Sequence, residues 1–516
     1  MNSPRYSRVQ RPVKASASSR LFYSRPASLQ AIVAIGGLPG KGSGKIAVLG
    51  PARGPNMKCR RFRSSLATLR VHRRVPKLLR AAFADCLVVL LLLGIMACHA
   101  TAPAPAPVTI TLLDPGWLDK QFLSWRAHEE EEFTRETGII VKDFPAPETA
   151  IDQLALLRRL LDNPTDAPDV FAIDVIWPAM TAQYSLNLNP YLADTAQDFP
   201  NLVANDTIDG HLIAMPYHAD AGLLFYRSDL LREYGYHSPP ATWDELEKMA
   251  AHIQKGERAK GNQQFWGYVW EGAPSEGLTC NALEWQASEG GGRIIESDGK
   301  ISVNNPAAVH SWERAARWVG SISPPSVIAY REWDALNIWR AGNAAFMRNW
   351  PTAYSTSQNS DSAARNKFVA TVLPGGRSGH VGTLGGASLS VFRNSHHPVE
   401  AVALVRYLCR RDVERGRSMA TSQPSVMPAL YDIPEVVRTF PHFADLIRMF
   451  RSPLGVRPSL VAGARYEQVS HAYFESVHSV LTKQKPAAQA AADLEQELIR
   501  ITGLPASEQG TAKHGN

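Results

Sequence analysis

A short apolar segment, Leu87–Ala97, divides the chain into two parts of different composition. A transmembrane helix needs about 20 apolar residues, so a run of this length is too short to span a bilayer. It has the length of a signal-peptide hydrophobic core, and the segment before it is rich in arginine and holds a single acid, Asp85. The sequence therefore predicts that the folded, exported protein begins after this segment.

The apolar segment ends in Ile95-Met96-Ala97-Cys98, which resembles a bacterial lipobox, where the signal peptide is removed and the new N-terminal cysteine is acylated. Met96 is a poor match to that pattern, whereas Ala97 and Cys98 fit it. We predict that residues 1–97 are a basic N-terminal extension and a lipoprotein signal peptide. Lipidated Cys98 would then anchor the protein to a membrane, in the periplasm or at the cell surface. An uncleaved anchor and an ordinary secretory signal with an incidental cysteine are the alternatives.

The leader also determines the charge of the whole chain. Residues 1–97 hold 18 of the 55 Lys and Arg and one of the 48 acids, so residues 98–516 carry 37 basic and 47 acidic residues, a formal charge of −10. The overall value of +7 therefore gives no support for nucleic-acid binding by the exported part. Residues 1–56 show almost no helical or strand periodicity, and we hypothesise that translation starts at Met57.

The 419 residues from Cys98 onward are too many for one simple core and fit two domains. After a stiff Ala/Pro linker at 98–107, the hydrophobic pattern alternates between strand and helix, which favours a largely parallel sheet. The predicted elements are strands at 108–113, 139–144 and 169–174, and helices at 119–137 and 150–161.

Beyond residue 220 helical patterns dominate. Thr242, with Glu245 three residues later, is typical of a capping box at the start of a helix. Thr383–Phe392 predicts a return to the sheet through a tight glycine turn. Further helices are predicted at 276–289, 306–321, 331–341, 396–410, 434–450 and 465–500.

Signatures of common enzyme classes are incomplete in this chain. The glycine-rich segment at 36–45 lacks the glycine spacing and the Ser or Thr of a phosphate loop, and His128-Glu129 lacks the second histidine of a zinc protease. Cys280 and Cys409 are too few and too far apart for a metal site, and they predict two buried thiols, with a disulfide as the alternative. We expect no catalytic residue, no cofactor and no metal.

The distribution of the tryptophans gives the first indication of a binding function. All twelve follow the leader, and several lie beside acids, amides or arginines, as in Glu332-Trp333 and Asn349-Trp350. A sugar presents an apolar C–H face to an aromatic ring and hydroxyl groups to fixed polar groups. Since a single tryptophan is more often a core residue, this distribution only suggests a carbohydrate site.

A series of motifs in residues 108–503 also suggests a carbohydrate site. They are Asp169–Trp177, Met215–Arg227, Pro239–Leu246, Phe265–Gly272, Glu276–Cys280, Gly342–Pro351 and Thr383–Gly386. In this order they resemble the trehalose/maltose-binding proteins of ABC importers, within extracellular solute-binding protein family 1. The resemblance implies an α/β fold of the periplasmic binding protein type II class, with two hinged lobes that each hold a central β-sheet flanked by helices.

The resemblance also implies the organisation and the partners. Lobe 1 is expected at about 108–216 and 380–426, lobe 2 at about 220–376 and 428–503, and a flexible tail at 504–516. The chain should cross between lobes near 213–221, 375–384 and 424–430. The expected partners are a small carbohydrate, the transmembrane subunits of an ABC permease and, through the lipid, a membrane. We expect a monomer that binds no nucleic acid.

Binding roles follow from the resemblance residue by residue. Sugar hydroxyls should be bound by Asp174 and Asp220, a sugar face by Trp350, and further oxygens by Glu332, by the backbone of Gly385 and by Arg457. Each residue has a structural alternative. The aspartates would cap a turn or helix, Glu332 would interact with a helix dipole, Gly385 would serve a turn, and Arg457 would form an interlobe salt bridge.

The chain departs from the family pattern at a cleft glutamate expected near Gln121 or Leu123, which is absent or displaced, and at three aromatic positions. Ala387, Thr352 and His218 stand where relatives carry aromatic residues, so the cleft should be larger and stack less strongly. The ligand of such a cleft could be a larger oligosaccharide, a modified sugar or a sugar phosphate. The resemblance implies a non-enzymatic receptor that delivers a trehalose- or maltose-like di- or oligosaccharide to an ABC importer. The alternatives are an exported hydrolase or lyase that uses Asp174 and Asp220, and a sugar-sensing receptor.

Overall fold

The computed structural model describes residues 106–114, 120–147, 150–163, 165–192, 197–451 and 455–507. The predicted signal peptide, the Met57 start, Cys98, most of the linker and most of the C-terminal tail lie outside these residues. The described residues all belong to one compact unit, which begins at Thr101. Within them, no helix combines the length and the apolar composition needed to cross a bilayer.

Two β-sheets organise the fold. Their strands are β1 Thr109–Leu113, β2 Ile140–Asp143, β3 Val170–Asp174, β6 Met215–Ala221, β7 Leu223–Arg227, β8 Trp266–Val269, β9 Ala344–Asn349, β10 Phe368–Val372 and β11 Leu384–Val391, and β4 Thr207–Ile208 pairs separately with β5 His211–Leu212. The first sheet has the strand order β2-β1-β3-β11-β6, and the second has the order β10-β7-β9-β8.

The prediction of a largely parallel sheet is confirmed for β1, β2 and β3, the strands from which it was made, and is wrong for either sheet as a whole. Strands β1, β2 and β3 pair in parallel, but β11 pairs antiparallel with both β3 and β6. In the second sheet only β8 and β9 are parallel. The reason is that β11 returns from the second sheet and enters the first against the direction of its neighbours. The predicted glycine turn at its start is also wrong, because Gly385 and Gly386 lie within this strand.

Helices cover the sheets, and most of the predicted helices begin and end within a few residues of their predicted bounds. Two predictions were wrong in one respect, since a break divides each of these helices: Pro441 follows the first half of 434–450, and Pro486 precedes the second half of 465–500. The helices are α1 Lys120–Thr137, α2 Ala150–Leu161, α3 Pro178–Thr181, α4 Pro200–Asn205, α5 Ser228–Glu233, α6 Trp243–Ala259, α7 Glu276–Ser288, α8 Pro306–Trp318, α9 Glu332–Arg340, α10 Ala353–Ser357, α11 Pro398–Leu408, α12 Arg411–Thr421, α13 Pro434–Thr439, α14 Phe443–Phe450, α15 Ser459–Ala462, α16 Tyr466–Leu481 and α17 Ala487–Thr502.

The chain crosses between the sheets at Gly222, the single residue between β6 and β7. This crossing lies just after the predicted interval of 213–221. A Cβ atom at Gly222 would overlap Glu284 Oε1 and would come within 2.8 Å of Arg348 Nη2, so only glycine fits beside these buried side chains. The return from β10 to β11 runs through residues 373–383, in agreement with the predicted crossing near 375–384.

Most of the tryptophans belong to the core. Trp243, Trp270, Trp285 and Trp318 are fully buried and pack against one another with ring centroids 5.0–5.7 Å apart. The indole N–H groups of Trp243 and Trp270 donate to serine hydroxyls at 2.9 and 3.0 Å. The tryptophan content is therefore mainly a property of the core. Cys280 and Cys409 are buried free thiols, as the sequence predicted.

His442 lies directly before helix α14, in a site formed by aromatic rings. Its ring packs against the rings of Tyr354, Phe440 and Phe443 at centroid distances of 4.9–6.1 Å. The residue is 3% exposed, and burial lowers its pKa to about 3. The folded protein therefore holds His442 neutral at pH values where the unfolded chain protonates it, since an unperturbed histidine has a pKa near 6.5.

We expect His442→Phe to reduce the loss of stability between pH 7 and pH 5 by about 2 kcal/mol. A depressed histidine pKa gives stability that is complete above pH 6.5 and is lost as the pH falls towards 3. Burial raises the pKa of Asp206 and of Glu414 to about 7. Their protonation therefore stabilises the folded protein as the pH falls, which opposes the effect of His442. The test is therefore the difference between variant and wild type in urea unfolding at the two pH values. An identical pH dependence of the two proteins would contradict the prediction.

Candidate functional site

One cavity lies between the two sheets, and both sheets contribute to its wall. The first sheet supplies the C-terminal end of β3, the end of β6 and the start of β11, while the second supplies the segment that follows β9. The N-terminal parts of α7 and α9, the segment that follows β8 and the loop before α15 complete the wall. The lining residues are Asp174, Asp220, Glu271, Glu276, Gly277, Cys280, Glu332, Trp350, Thr352, Gly385, Gly386 and Arg457.

The structure brings six of the seven sequence-predicted binding residues together at this cavity: Asp174, Asp220, Glu332, Trp350, Gly385 and Arg457. His218, the seventh, is not among the lining residues. It is 3% exposed, and its Nδ1 lies 3.6 Å from Asp220 Oδ2. His218 therefore lies beside the Asp220 carboxylate and does not line the cavity itself.

Asp174 ends strand β3 and serves two roles at once. Its Oδ1 accepts a hydrogen bond from the backbone N–H of Ile176 at 3.1 Å, and it lies 3.5 Å from Arg457 Nη2. Burial raises the pKa of Asp174, although the Arg457 guanidinium acts in the opposite direction. The turn-capping alternative is thus correct for one oxygen, and the carboxylate still faces the cavity.

Arg457 is held by groups from both sides of the cavity. Its Nη1 donates to Glu276 Oε1 at 2.8 Å, and its Nη2 donates to the backbone oxygen of Leu384 at 3.0 Å. Glu276 also accepts hydrogen bonds from Tyr466 at 2.6 Å and from Ser470. Arg457 therefore forms an ion pair within the wall of the cavity, and its guanidinium has a fixed orientation.

Asp220 is 8% exposed and carries the least satisfied carboxylate oxygen of the site. Its Oδ1 is buried and has no hydrogen-bond partner among the described residues. Asp220 pairs with Gly385 across strands β6 and β11, so the backbone fixes the carboxylate beside the two glycines. A buried oxygen without a partner is unfavourable unless a donor reaches it, which makes Asp220 an acceptor available to a ligand.

Trp350 provides the one aromatic ring that lines the cavity within the described residues. The guanidinium carbon of Arg348 lies 4.1 Å from its ring centroid. On another side the ring approaches Gly385, where a Cβ would lie 2.9 Å from Trp350 Cζ3. Gly385 is thus required for close approach of the ring to β11, and this is a packing role that the sequence did not reveal.

A fully buried charge network supports Trp350 from behind. Arg348 donates to Glu284 through Nε at 3.0 Å and Nη2 at 2.6 Å, and to Glu271 through Nη1 at 2.7 Å. Glu284 Oε1 also accepts the backbone N–H of Thr383 at 3.1 Å. The network therefore joins the aromatic ring to the segment that returns to the first sheet.

Sequence reasoning assigned no role to Glu271, Glu276 or Cys280. All three lie in motifs that carried the family resemblance, Phe265–Gly272 and Glu276–Cys280, so their position in those motifs was the available signal. Glu332 is in the first turn of α9, where the helix dipole alone would explain an acid, but it also lines the cavity. In the described ranges, no group of three or more His, Cys, Asp or Glu residues is arranged to hold a metal ion.

Comparisons with known proteins agree with this architecture. The model of the family described as bacterial extracellular solute-binding protein matches residues 121–413. A Deinococcus radiodurans protein described as a "Probable ABC transporter-binding protein" is 42% identical over 376 residues, which is 72% of this chain and 89% of that protein.

Solved structures show the same fold. Maltose-bound MalE3 of T. maritima superposes with a TM-score of 0.71 at 32% identity, over 76% of this chain and all of that chain. A Thermotoga lettingae ABC transporter solute-binding protein, bound with α-D-tagatose, gives a TM-score of 0.67 at 21% identity, over 77% of this chain and 100% of that one. The predicted fold class, an α/β protein of the two-lobed periplasmic binding protein type II class, is confirmed.

Proposed function

We infer that this chain, which belongs to the bacterial extracellular solute-binding protein family, captures a di- or oligosaccharide and delivers it to an ABC importer. Family membership rests on a match to more than half of the chain and on a relative that is 42% identical. The maltose bound by the T. maritima relative supports a trehalose- or maltose-like ligand. In this proposal Cys98 carries the lipid anchor, and the partners are permease subunits.

The observation that carries the proposal is the composition of the cavity wall. Trp350 offers an aromatic face, and Asp174, Asp220 and Glu332 offer acceptors for hydroxyl groups. These groups come from both sheets, so a bound sugar contacts both lobes. A ligand that contacts both lobes binds the closed state more tightly than the open state, and it shifts the population towards closure.

Calorimetric titration of the purified protein with trehalose, maltose, sucrose and longer maltodextrins tests the proposal. Saturable heat with one of them would support a carbohydrate receptor and would name the ligand class. If protein shown to be folded bound none of these neutral sugars and neither of the 6-amino-6-deoxy derivatives of trehalose and maltose, the proposal would be contradicted.

Asp220→Asn should weaken binding of the sugar identified in this way by about tenfold, which corresponds to about 1.4 kcal/mol. The substitution keeps the shape of the side chain but replaces one acceptor oxygen with an NH₂ donor, so a hydroxyl donor loses its partner. Asp298→Asn is the matched control, because Asp298 is exposed and does not line the cavity. Equal affinities of the two variants would exclude Asp220 from ligand binding.

An exported hydrolase is the second candidate, and the raised pKa of Asp174 is the observation in its favour. A general acid must be protonated near the working pH and stand opposite a second carboxylate. In this cavity Asp174 is bound by the Ile176 N–H and lies beside Arg457, both of which favour its ionised form. Release of glucose from any of the titrated disaccharides would favour the hydrolase.

A further inference from the structure

Carboxylates outnumber guanidinium groups around the cavity. Asp174, Asp220, Glu271, Glu276 and Glu332 line it, whereas Arg457 is the single lysine or arginine among its described lining residues. A second guanidinium, Arg348, and a sixth carboxylate, Glu284, lie directly behind the wall. This inner shell of six carboxylates and two guanidiniums is acidic by four formal charges when all of its groups are ionised.

The two arginines are already engaged. Arg457 is bound to Glu276 and lies 3.5 Å from Asp174, and Arg348 is bound to Glu271 and Glu284. Among the described residues, Asp220 has His218 as its ion-pair partner, with Nδ1 of the ring 3.6 Å from Oδ2. The other oxygen, Oδ1, is buried and without a hydrogen-bond partner among the described residues.

A buried site with excess carboxylates is short of positive charge. Burial raises the pKa of Asp174 and of Glu271, although an arginine lies beside each of them. A sugar hydroxyl donates a hydrogen bond to such a carboxylate but does not compensate its charge. A protonated amine does both, and a phosphate or carboxylate on the ligand would add to the repulsion.

We propose that the preferred ligand of this cleft is a glycoside that carries a protonated amine, seated against Asp220, and that phosphorylated and acidic sugars are excluded. The inference rests on the proposed function, since it assumes that the cavity binds a carbohydrate, and it adds the chemical class of that carbohydrate. The sequence alone allowed both a modified sugar and a sugar phosphate as the ligand, and the inference favours the modified sugar.

The test is calorimetric titration with trehalose and maltose, each in three forms: the neutral disaccharide, its 6-amino-6-deoxy derivative and its 6-phosphate. On at least one scaffold the amine should bind at least about tenfold more tightly than the neutral sugar, and the phosphate should give no saturable heat on either. In Asp220→Asn the ratio of the amine to the neutral affinity should fall towards one. In the Asp298→Asn control that ratio should stay at its wild-type value.

Three results with the wild-type protein would overturn the inference: a neutral sugar that binds as tightly as its amine on both scaffolds, a phosphate that binds as tightly as the amine, or amines that do not bind at all. The first two leave the carbohydrate-receptor proposal intact, because a sugar still binds. A purely structural role of Asp220 would lower both affinities in Asp220→Asn and leave their ratio unchanged, which would also overturn the inference.

Discussion

Replacing Arg348 with methionine is expected to destabilise the folded protein by about 3–5 kcal/mol. Arg348 is fully buried and bridges Glu284 and Glu271, which are 0% and 4% exposed. Without the guanidinium, two buried carboxylates face each other with no compensating charge, and that arrangement is far less favourable than the intact network. Urea unfolding of the variant and of wild type gives the difference in the free energy of unfolding.

Arg340→Met is the matched control for this prediction. Arg340 pairs with Asp361, whose side chain is 71% exposed, and a surface pair of this kind contributes little to stability because water screens it. Adding Glu284→Gln to Arg348→Met should restore part of the stability, because it removes one of the uncompensated charges. Similar losses in Arg348→Met and Arg340→Met would show that the buried network does not stabilise the fold.

The destabilisation by Arg348→Met should also depend on pH. Burial already raises the pKa of Glu271 in the wild-type protein, and the loss of Arg348 removes the group that opposes this shift. A carboxyl whose pKa is raised on folding binds more protons in the folded state, so its contribution to stability increases as the pH falls. The loss should therefore be smaller at pH 5 than at pH 8.

Local sequence patterns predicted the secondary structure well where local interactions determine it. The helix Ala150–Leu161 was predicted with its observed bounds, and Thr242 accepts the N–H of Glu245 as a capping box requires. The antiparallel entry of β11 was missed because strand pairing depends on the path of the chain between the sheets. No pattern within residues 384–391 contains that information.

The cavity was predictable in part. The motifs of the family resemblance identified Asp174, Asp220, Glu332, Trp350, Gly385 and Arg457, all of which line it. The contacts that position these residues join distant parts of the chain. Glu276 and Tyr466 are separated by 190 residues, and Thr383 and Glu284 by 99. A single sequence shows such acids as ordinary helix residues, so their pairing becomes visible only in the folded molecule.

Trp350→Ala should weaken sugar binding by about 2–4 kcal/mol, which corresponds to roughly 30- to 1,000-fold in Kd. Trp350 is the one stacking surface that the described residues bring to the cavity. Its loss removes all aromatic contact with the C–H face of a sugar. Calorimetry with the sugar that binds wild type measures the change, and Trp350→Phe, which keeps a flat ring, should restore most of the affinity.

Trp333→Ala separates this effect from a general loss of packing. Trp333 is 39% exposed and does not line the cavity, so its removal should change the affinity for the sugar by less than about twofold. Trp350→Ala leaves Arg348 bound to both of its carboxylates. The substitution should therefore lower the free energy of unfolding by less than it weakens the free energy of sugar binding. Equal losses of affinity in the two alanine variants would mean that the ring of Trp350 does not contact the sugar. The ligand would then be held by the carboxylates of the cavity alone.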